Sequence, residues 1–372
     1  MNHSIIEQAL QGIELHIPKG ATVVVGMSGG VDSSVSAALL KELGYDVIGI
    51  LMKNWEKDDG CSIEEDAQDV ARVASLLHIP FYTAHFAKAY WDHVFEKFLS
   101  DLRSGLTPNP DVLCNREIKF KHLLGKALSI GASALATGHY ATNMPSKGGE
   151  TYQLQRARDS AKDQTYFLYT ATQETLSQTL FPLAHLTKVE VRKIAQALGL
   201  PVAEKKDSTG ICFIGERNFR EFLQPYLGYS PGPMITPEGK KVGEHIGLAY
   251  YTIGQRKGLG IGGEGDAWFV ASKNIEENTL VVAQGTDHPA LFANSLTAHE
   301  SHWISGHAPQ LPLSCSAKIR YRQEDSPCKV EASTTGELLV YFQTPQRAIT
   351  PGQSIVFYDG DTCLGGAVIT PG

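Results

Sequence analysis

Between a short β-branched run at Thr22–Val25 and a helix-patterned stretch at Ser34–Leu43 lies the segment Gly26-Met27-Ser28-Gly29-Gly30-Val31-Asp32-Ser33. No other segment restricts the fold as strongly. The small residues let backbone N–H groups come close to an anion, and the helix that follows points its positive end at the same place. Ser28 and Ser33 add hydroxyl donors, and Asp32 suits a magnesium ion or a ribose-side water. Neither G-x-x-x-x-G-K-[ST] nor G-x-G-x-x-G is present, so two common phosphate loops are excluded. A Gly-Gly pair alone would be no more than a turn. Set between a strand and a helix, it points to nucleotide binding.

The alternation continues beyond the loop. Val35, Ala38, Leu39 and Leu43 recur at helical spacing before Gly44, which serves as a stop. Asp46–Met52 reads as a buried strand, and Ile63–Leu77 as an amphipathic helix with Val70, Val73, Ala74 and Leu77 on one face. Phe81–Ala84 and Ala134–Ala136 are further strand candidates. Strands separated by helices of this length predict an α/β, doubly wound parallel sheet, in which ligands sit at the carboxyl ends of the strands. A helix over Lys188–Leu198 is announced by Thr187 and Glu190, a capping-box pair.

The texture changes near Arg217. Pro231, Gly232, Pro233, Pro237 and Gly239 crowd together, and glycines recur from Gly243 to Gly265, which predicts a small turn-rich unit. From about Leu291, the runs CSAKIRYR, CKVEAS, ELLVYFQ and QSIVFYD predict a small antiparallel β-barrel. The expected division is 1–215, 216–287 and 288–372, and a length of 372 residues accommodates two or three domains. No apolar stretch reaches eighteen residues, and the N-terminus lacks the basic start and apolar block of a signal peptide. The expectation is a cytoplasmic protein that spans no membrane.

Six cysteines stand at Cys61, Cys114, Cys212, Cys315, Cys328 and Cys363, with no C-x-x-C pair to suggest a bound metal. Two have distinctive settings. Cys114 lies near the end of the proline-bearing loop Gly105–Arg116, which precedes a helical pattern over Glu117–Leu128. A helix N-terminus with Arg116 and Lys119 nearby favours a thiolate, and the polar, proline-rich surroundings predict that Cys114 is accessible. Asp111, three residues earlier, is placed for general acid or base work. Cys212 lies between the polar turn at Lys205–Gly210 and a short apolar run; alone it could equally be a core residue. Cys315, Cys328 and Cys363 sit in strand-like runs and read as packing residues, and Cys61 as a loop thiol. Net charge is −7, which runs against a nucleic-acid partner unless the binding surface is locally basic.

SGGVDSS resembles the signature of the ATP pyrophosphatases, which adenylate a substrate oxygen and release pyrophosphate. Further segments narrow the likeness: MKNW at Met52–Trp55, TPNPDVLCN at Thr107–Asn115, ATGHYA at Ala136–Ala141, KDQTYFL at Lys162–Leu168 and DSTGICFIG at Asp207–Gly215. YYTIGQRKGLGIG at Tyr250–Gly262, IRYRQ at Ile319–Gln323 and TPGQSIVFYDGDTCLGG at Thr350–Gly366 extend it along essentially the whole chain. Together they resemble the bacterial tRNA-specific 2-thiouridylase family. The resemblance implies that Gly26, Met27, Ser28, Gly29, Gly30, Val31, Asp32, Ser33, Met52 and Gly138 bind ATP, with Mg2+ accompanying it. It implies that Asn109, Pro110 and Asp111 meet the target base, that Cys114 is the nucleophile, and that Cys212 carries incoming sulfur as a persulfide from a sulfur-donor protein. It assigns tRNA contacts to His139, Lys162, Asp163, Gln164, Arg320, Tyr321 and Gln353.

The implied reaction adenylates the carbon-2 oxygen of a wobble uridine, so that AMP replaces oxide as the leaving group. Cys114 would attack the persulfide on Cys212 and release sulfide near the base, or the persulfide would attack directly and Cys114 resolve the intermediate. The target base must leave its stack, which is easier in a single-stranded anticodon loop. A ligase of the NAD or GMP synthetase type would share the loop but has no use for paired cysteines. A tRNA-binding protein without catalysis would need neither.

Overall fold

The computed structural model describes residues 2–55, 63–146, 148–149, 151–206 and 218–371. Cys61 and Cys212 lie outside these described residues.

The first part is a five-stranded sheet in which Thr22–Met27 runs parallel to Asp46–Lys53 on one side and to Ala134–Ala136 on the other. Phe81–His85 continues the sheet beyond Asp46–Lys53, and Thr179–Leu180 beyond Ala134–Ala136. Val23, Val24 and Val25 are fully buried, as expected for a strand covered on both faces. The chain lays down strands in one direction from Thr22–Met27, then returns to its other edge. That reversal is a topological switch point, where such sheets form a crevice. The Val31–Glu42 and Ile63–Leu77 helices match the expected ones. The Lys188–Ala197 helix carries the expected capping box, with Thr187 and Glu190 bonded reciprocally.

A long helical run starts at Pro110 and ends at Ser129. Its middle part, Cys114–Leu123, is π-helical, and the Leu124 N–H bonds the carbonyl of Lys119, five residues back. The run begins seven residues earlier than the periodicity predicts, because Pro110 occupies the first helical position, where its missing N–H costs nothing.

The middle part is more regular than its glycines and prolines suggest. A Phe219–Leu227 helix is followed by a four-stranded sheet of Gly232–Ile235, Lys241–His245, Trp268–Asn274 and Thr279–Gln284. Six antiparallel strands then close a barrel: Phe292–Trp303 pairs with Leu338–Arg347 at one side and with Thr362–Ile369 at the other. Within the IRYRQ segment the strand stops at Lys318, so Arg320 and Tyr321 belong to a turn rather than to a strand. A hairpin from the first part, Thr142–Pro145 with Tyr152–Gln155, joins the barrel sheet through Thr362↔Gln155 and Cys363↔Leu154.

Candidate nucleotide and thiol site

A cavity of about 380 Å³ opens at the switch point, lined by Gly26, Met27, Ser28, Gly30, Val31, Asp32, Ser33, Met52 and Gly138 among others. Nine of the ten residues expected to bind nucleotide therefore meet in one place. The tenth, Gly29, adopts φ +73° and packs so closely on Asp66 that a Cβ would lie 2.9 Å from its backbone. Gly138 also has a steric reason: a Cβ there would stand 2.8 Å from the Ser33 nitrogen. The loop is braced internally, with the Ser28 N–H donating to Ser33 Oγ at 3.2 Å. Gly30 caps the Val31–Glu42 helix without a side-chain bond, which leaves the first-turn donors to a ligand.

Among the described residues, Lys119, Lys162, Lys206 and Arg322 line the cavity against a single carboxylate, Asp32. The site is locally basic in a chain of net charge −7, which suits a polyanion. The Asp32 carboxylate is engaged: Lys188 Nζ lies 2.7 Å from both its oxygens, and the Tyr140 hydroxyl donates to it at 2.9 Å. Sequence reading missed Lys188, which lies 156 positions from Asp32 and belongs to a helix singled out only for its cap.

Cys114 is buried, 1 % exposed, in a cluster with Trp55, Tyr90 and Ile118. This corrects the expectation of an accessible thiol: the proline-rich segment is polar in sequence, but residues from remote elements cover its end. Cys114 does not line the cavity. Its helix does, through Lys119 and Leu123, and Met52 both lines the cavity and packs against the Cys114 cluster. Asp111 stands one turn before Cys114; burial pushes its carboxyl up, and the Lys119 charge offsets part of that rise.

Residues expected to meet RNA fall into two groups. Lys162, Gln164, Tyr321 and His139 line the cavity. Gln164 also receives the Tyr140 N–H at 3.0 Å, and the Tyr321 ring packs on Phe167 at 4.5 Å. His139 is buried, with Nδ1 2.8 Å from Thr137 Oγ1 and Nε2 3.3 Å from Lys119 Nζ. The second group is tied inside the protein. Asp163 accepts from the Ala157 N–H and the Thr165 hydroxyl. Arg320 donates to the carbonyls of Ile253 and Ala348 and to Thr350 Oγ1. Gln353 donates to the Thr107 carbonyl at 2.7 Å, on the segment that leads to Asn109 and Pro110. These side chains hold elements together rather than stand free on a surface.

Of the cysteines read as packing residues, Cys328 and Cys363 are buried, and Cys315 faces Cys328 across two strands with the sulfurs 3.7 Å apart. No helix among the described residues is long and apolar enough to cross a membrane.

Residues 21–216 match the family described as tRNA methyl transferase HUP domain. Residues 220–284 match its PRC-barrel domain, and 293–369 an aminomethyltransferase β-barrel domain. The tRNA-specific 2-thiouridylase MnmA of Cupriavidus metallidurans is 55% identical over 357 residues, covering 94% of this chain and 99% of that protein. Proteins of the same name from Shouchella clausii and Halalkalibacterium halodurans are 56% and 55% identical, over 93% and 96% of this chain and 96% of each of theirs.

Proposed function

The chain belongs to the tRNA-specific 2-thiouridylase family, and from that premise we propose that it exchanges the carbon-2 oxygen of a tRNA wobble uridine for sulfur at the expense of ATP. The observation that carries the reading is the basic, glycine-walled cavity at the switch point, lined by the same helix that bears Asp111 and Cys114.

ATP occupies the cavity, with its phosphates at Gly26–Ser33 and the helix start, and with Met52 and Gly138 completing the wall. Magnesium carried on the triphosphate would offset its charge, and Asp32, the one lining carboxylate among the described residues, would be the residue to hold it. The uridine oxygen attacks the α-phosphorus and pyrophosphate leaves with the electron pair of the broken bond. Sulfur then adds at carbon 2, and the original oxygen departs on AMP. Cys212 carries the sulfur as a persulfide received from a donor protein, and Cys114 either frees it or resolves the intermediate, leaving a Cys114–Cys212 disulfide for a reductant to reopen. Asn109, Pro110 and Asp111 face the base. Lys162, Gln164 and Tyr321 meet the RNA at the cavity, whereas Asp163, Arg320 and Gln353 act indirectly, by holding the elements around it. The parts 1–215, 216–287 and 288–372 act as catalytic, central and RNA-binding units. A cytoplasmic setting suits free thiols.

One family description names methyl transfer, and the relatives name thiolation. Mass spectrometry of tRNA nucleosides separates the two, because sulfur-for-oxygen exchange and methylation change the base differently. With ATP and tRNA, pyrophosphate release is expected from the wild type and from Cys114→Ser, and none from Asp32→Ala. Thiolation is expected from the wild type alone, with Cys114→Ser still accepting persulfide and Cys212→Ser not. A methylated base, or full thiolation by Cys114→Ser, overturns the reading.

A further inference from the structure

Lys119 takes no part in the reading above, yet it stands where the nucleotide cavity and the cysteine helix meet. Its ammonium donates to Asn115 Oδ1 at 2.9 Å and lies 3.3 Å from His139 Nε2. Both partners are neutral acceptors. Burial, reinforced by the Lys119 charge, pushes the His139 imidazole well below its ordinary value, so the ring is uncharged. With Nε2 accepting from Lys119, Nδ1 carries the hydrogen and donates to Thr137 Oγ1 at 2.8 Å. Asn115 is fixed in turn, its Nδ2 donating to the Phe167 carbonyl at 3.0 Å. Lys119 is therefore held by two anchored neutral groups, and although Asp111 feels its charge, Lys119 forms no ion pair with a carboxylate among the described residues. Lys188, behind the cavity wall, differs, being spent on the Asp32 carboxylate.

We propose that Lys119 is a catalytic cation of the adenylation step, touching the non-bridging oxygens of the ATP α-phosphate as the uridine oxygen attacks it. The inference rests on the thiouridylase reading and deepens it. As the new oxygen–phosphorus bond forms and the bond to pyrophosphate breaks, charge gathers on those oxygens. A pre-positioned ammonium stabilises that charge more than it stabilises the ground state. When sulfur later displaces AMP, the same ammonium faces the phosphate on which the oxygen departs. Asn115 and His139 are positioning residues, acting through Lys119.

The test is single-turnover pyrophosphate release with tRNA, together with the ATP dissociation constant, for the wild type, Lys119→Met and Lys119→Arg. Loss of one such donor lowers the rate roughly 100-fold or more. Lys119→Met is expected to show that loss with ATP affinity nearly unchanged, and Lys119→Arg to recover much of it. Release by Lys119→Met at close to the wild-type rate overturns the proposal, as does a loss matched by an equal loss of ATP affinity that arginine does not relieve. If Lys119→Met melts early, Lys119→Gln, which keeps a donor for Asn115 without the charge, carries the same test. Wild-type release with ATP and tRNA tests the adenylation reading itself. Absence of release from the wild type itself strikes at that reading and not at Lys119.

Discussion

The barrel and the middle unit are both fastened to the nucleotide-binding unit, but by different kinds of contact. The barrel is joined through the backbone: the Tyr152–Gln155 strand extends the barrel sheet along Thr362–Ile369. Buried hydroxyls reinforce that seam, with the Tyr166 hydroxyl donating to the Ser354 carbonyl at 2.8 Å and Tyr358 and Thr165 paired at 3.2 Å. The middle unit is joined largely by rings. Phe222 and Tyr226 pack on Trp55 and Phe95 at centroid distances of 5.0–6.0 Å. Two side-chain bonds to carbonyls, Arg103 to Tyr226 and Lys273 to Gly105, add to it. Backbone ladders and buried hydroxyls fix direction and register, because each unmet group is costly. Ring packing is non-directional and tolerates adjustment. The barrel seam is thus specified group by group, and the middle seam mainly by apolar ring area.

Four measurements break or sharpen this contrast. Tyr358→Ala removes a fully buried ring from the barrel seam and is expected to cost about 3–5 kcal/mol. Calorimetry should show barrel and nucleotide unit melting together at the lower temperature; separate melting breaks the shared-sheet argument. Phe222→Ala, at a half-buried ring of the other seam, is expected to cost about 2–3 kcal/mol. Here the middle unit should melt on its own while ATP affinity holds, and a uniform shift of the whole melt would erase the contrast. Tyr166→Phe takes one hydroxyl from a buried carbonyl and should cost about 1–2 kcal/mol, read as a lower denaturant midpoint.

The smallest effect concerns Lys273, whose ammonium is pulled down to about 8 by burial at the middle seam. Its folded value lies below its ordinary 10.5, so between the two the unfolded chain binds more protons. The cost of burying this charge is present below pH 8 and disappears as pH rises toward 10.5. The stability of the wild type relative to Lys273→Met should therefore improve between pH 8 and 10 in parallel melts. No change with pH would show that this lysine is not desolvated at the seam.

Much of this was legible in the sequence where local pattern and burial agree. The parallel strands read as short apolar runs because both faces are covered, and Thr187 with Glu190 gave the helix start away. The turn between the first strand and its helix was legible because close backbone approach demands glycine, as at Gly29. What escaped depends on contacts between distant positions. Cys114 reads as exposed until Trp55 and Tyr90 fold over it. Arg320 reads as a surface charge until the middle unit offers it the Ile253 carbonyl. The strands at Gly232–Ile235 and Lys241–His245 are four and five residues long and rich in glycine or proline, too short to show alternation. Lys119 had a signal that went unused: with Asp111 and Asn115 it repeats at four-residue steps, which in a helix means one side.

The π-helical stretch Cys114–Leu123 has a consequence for insertion and deletion. A helix that closes its bonds over five residues holds one residue more per turn than an α-helix needs. It can therefore lose a residue and still close, as an ordinary helix, with little disturbance beyond its ends. Phase would be nearly kept. Four steps of roughly 100° in an α-helix cover about the arc that five steps cover where bonds close over five residues, so a deletion among residues 116–118 would leave Cys114 in its cluster and Lys119 near the cavity. One codon fewer at this point is therefore the change this helix is best built to absorb, and one fewer in the α-helical turns on either side is not.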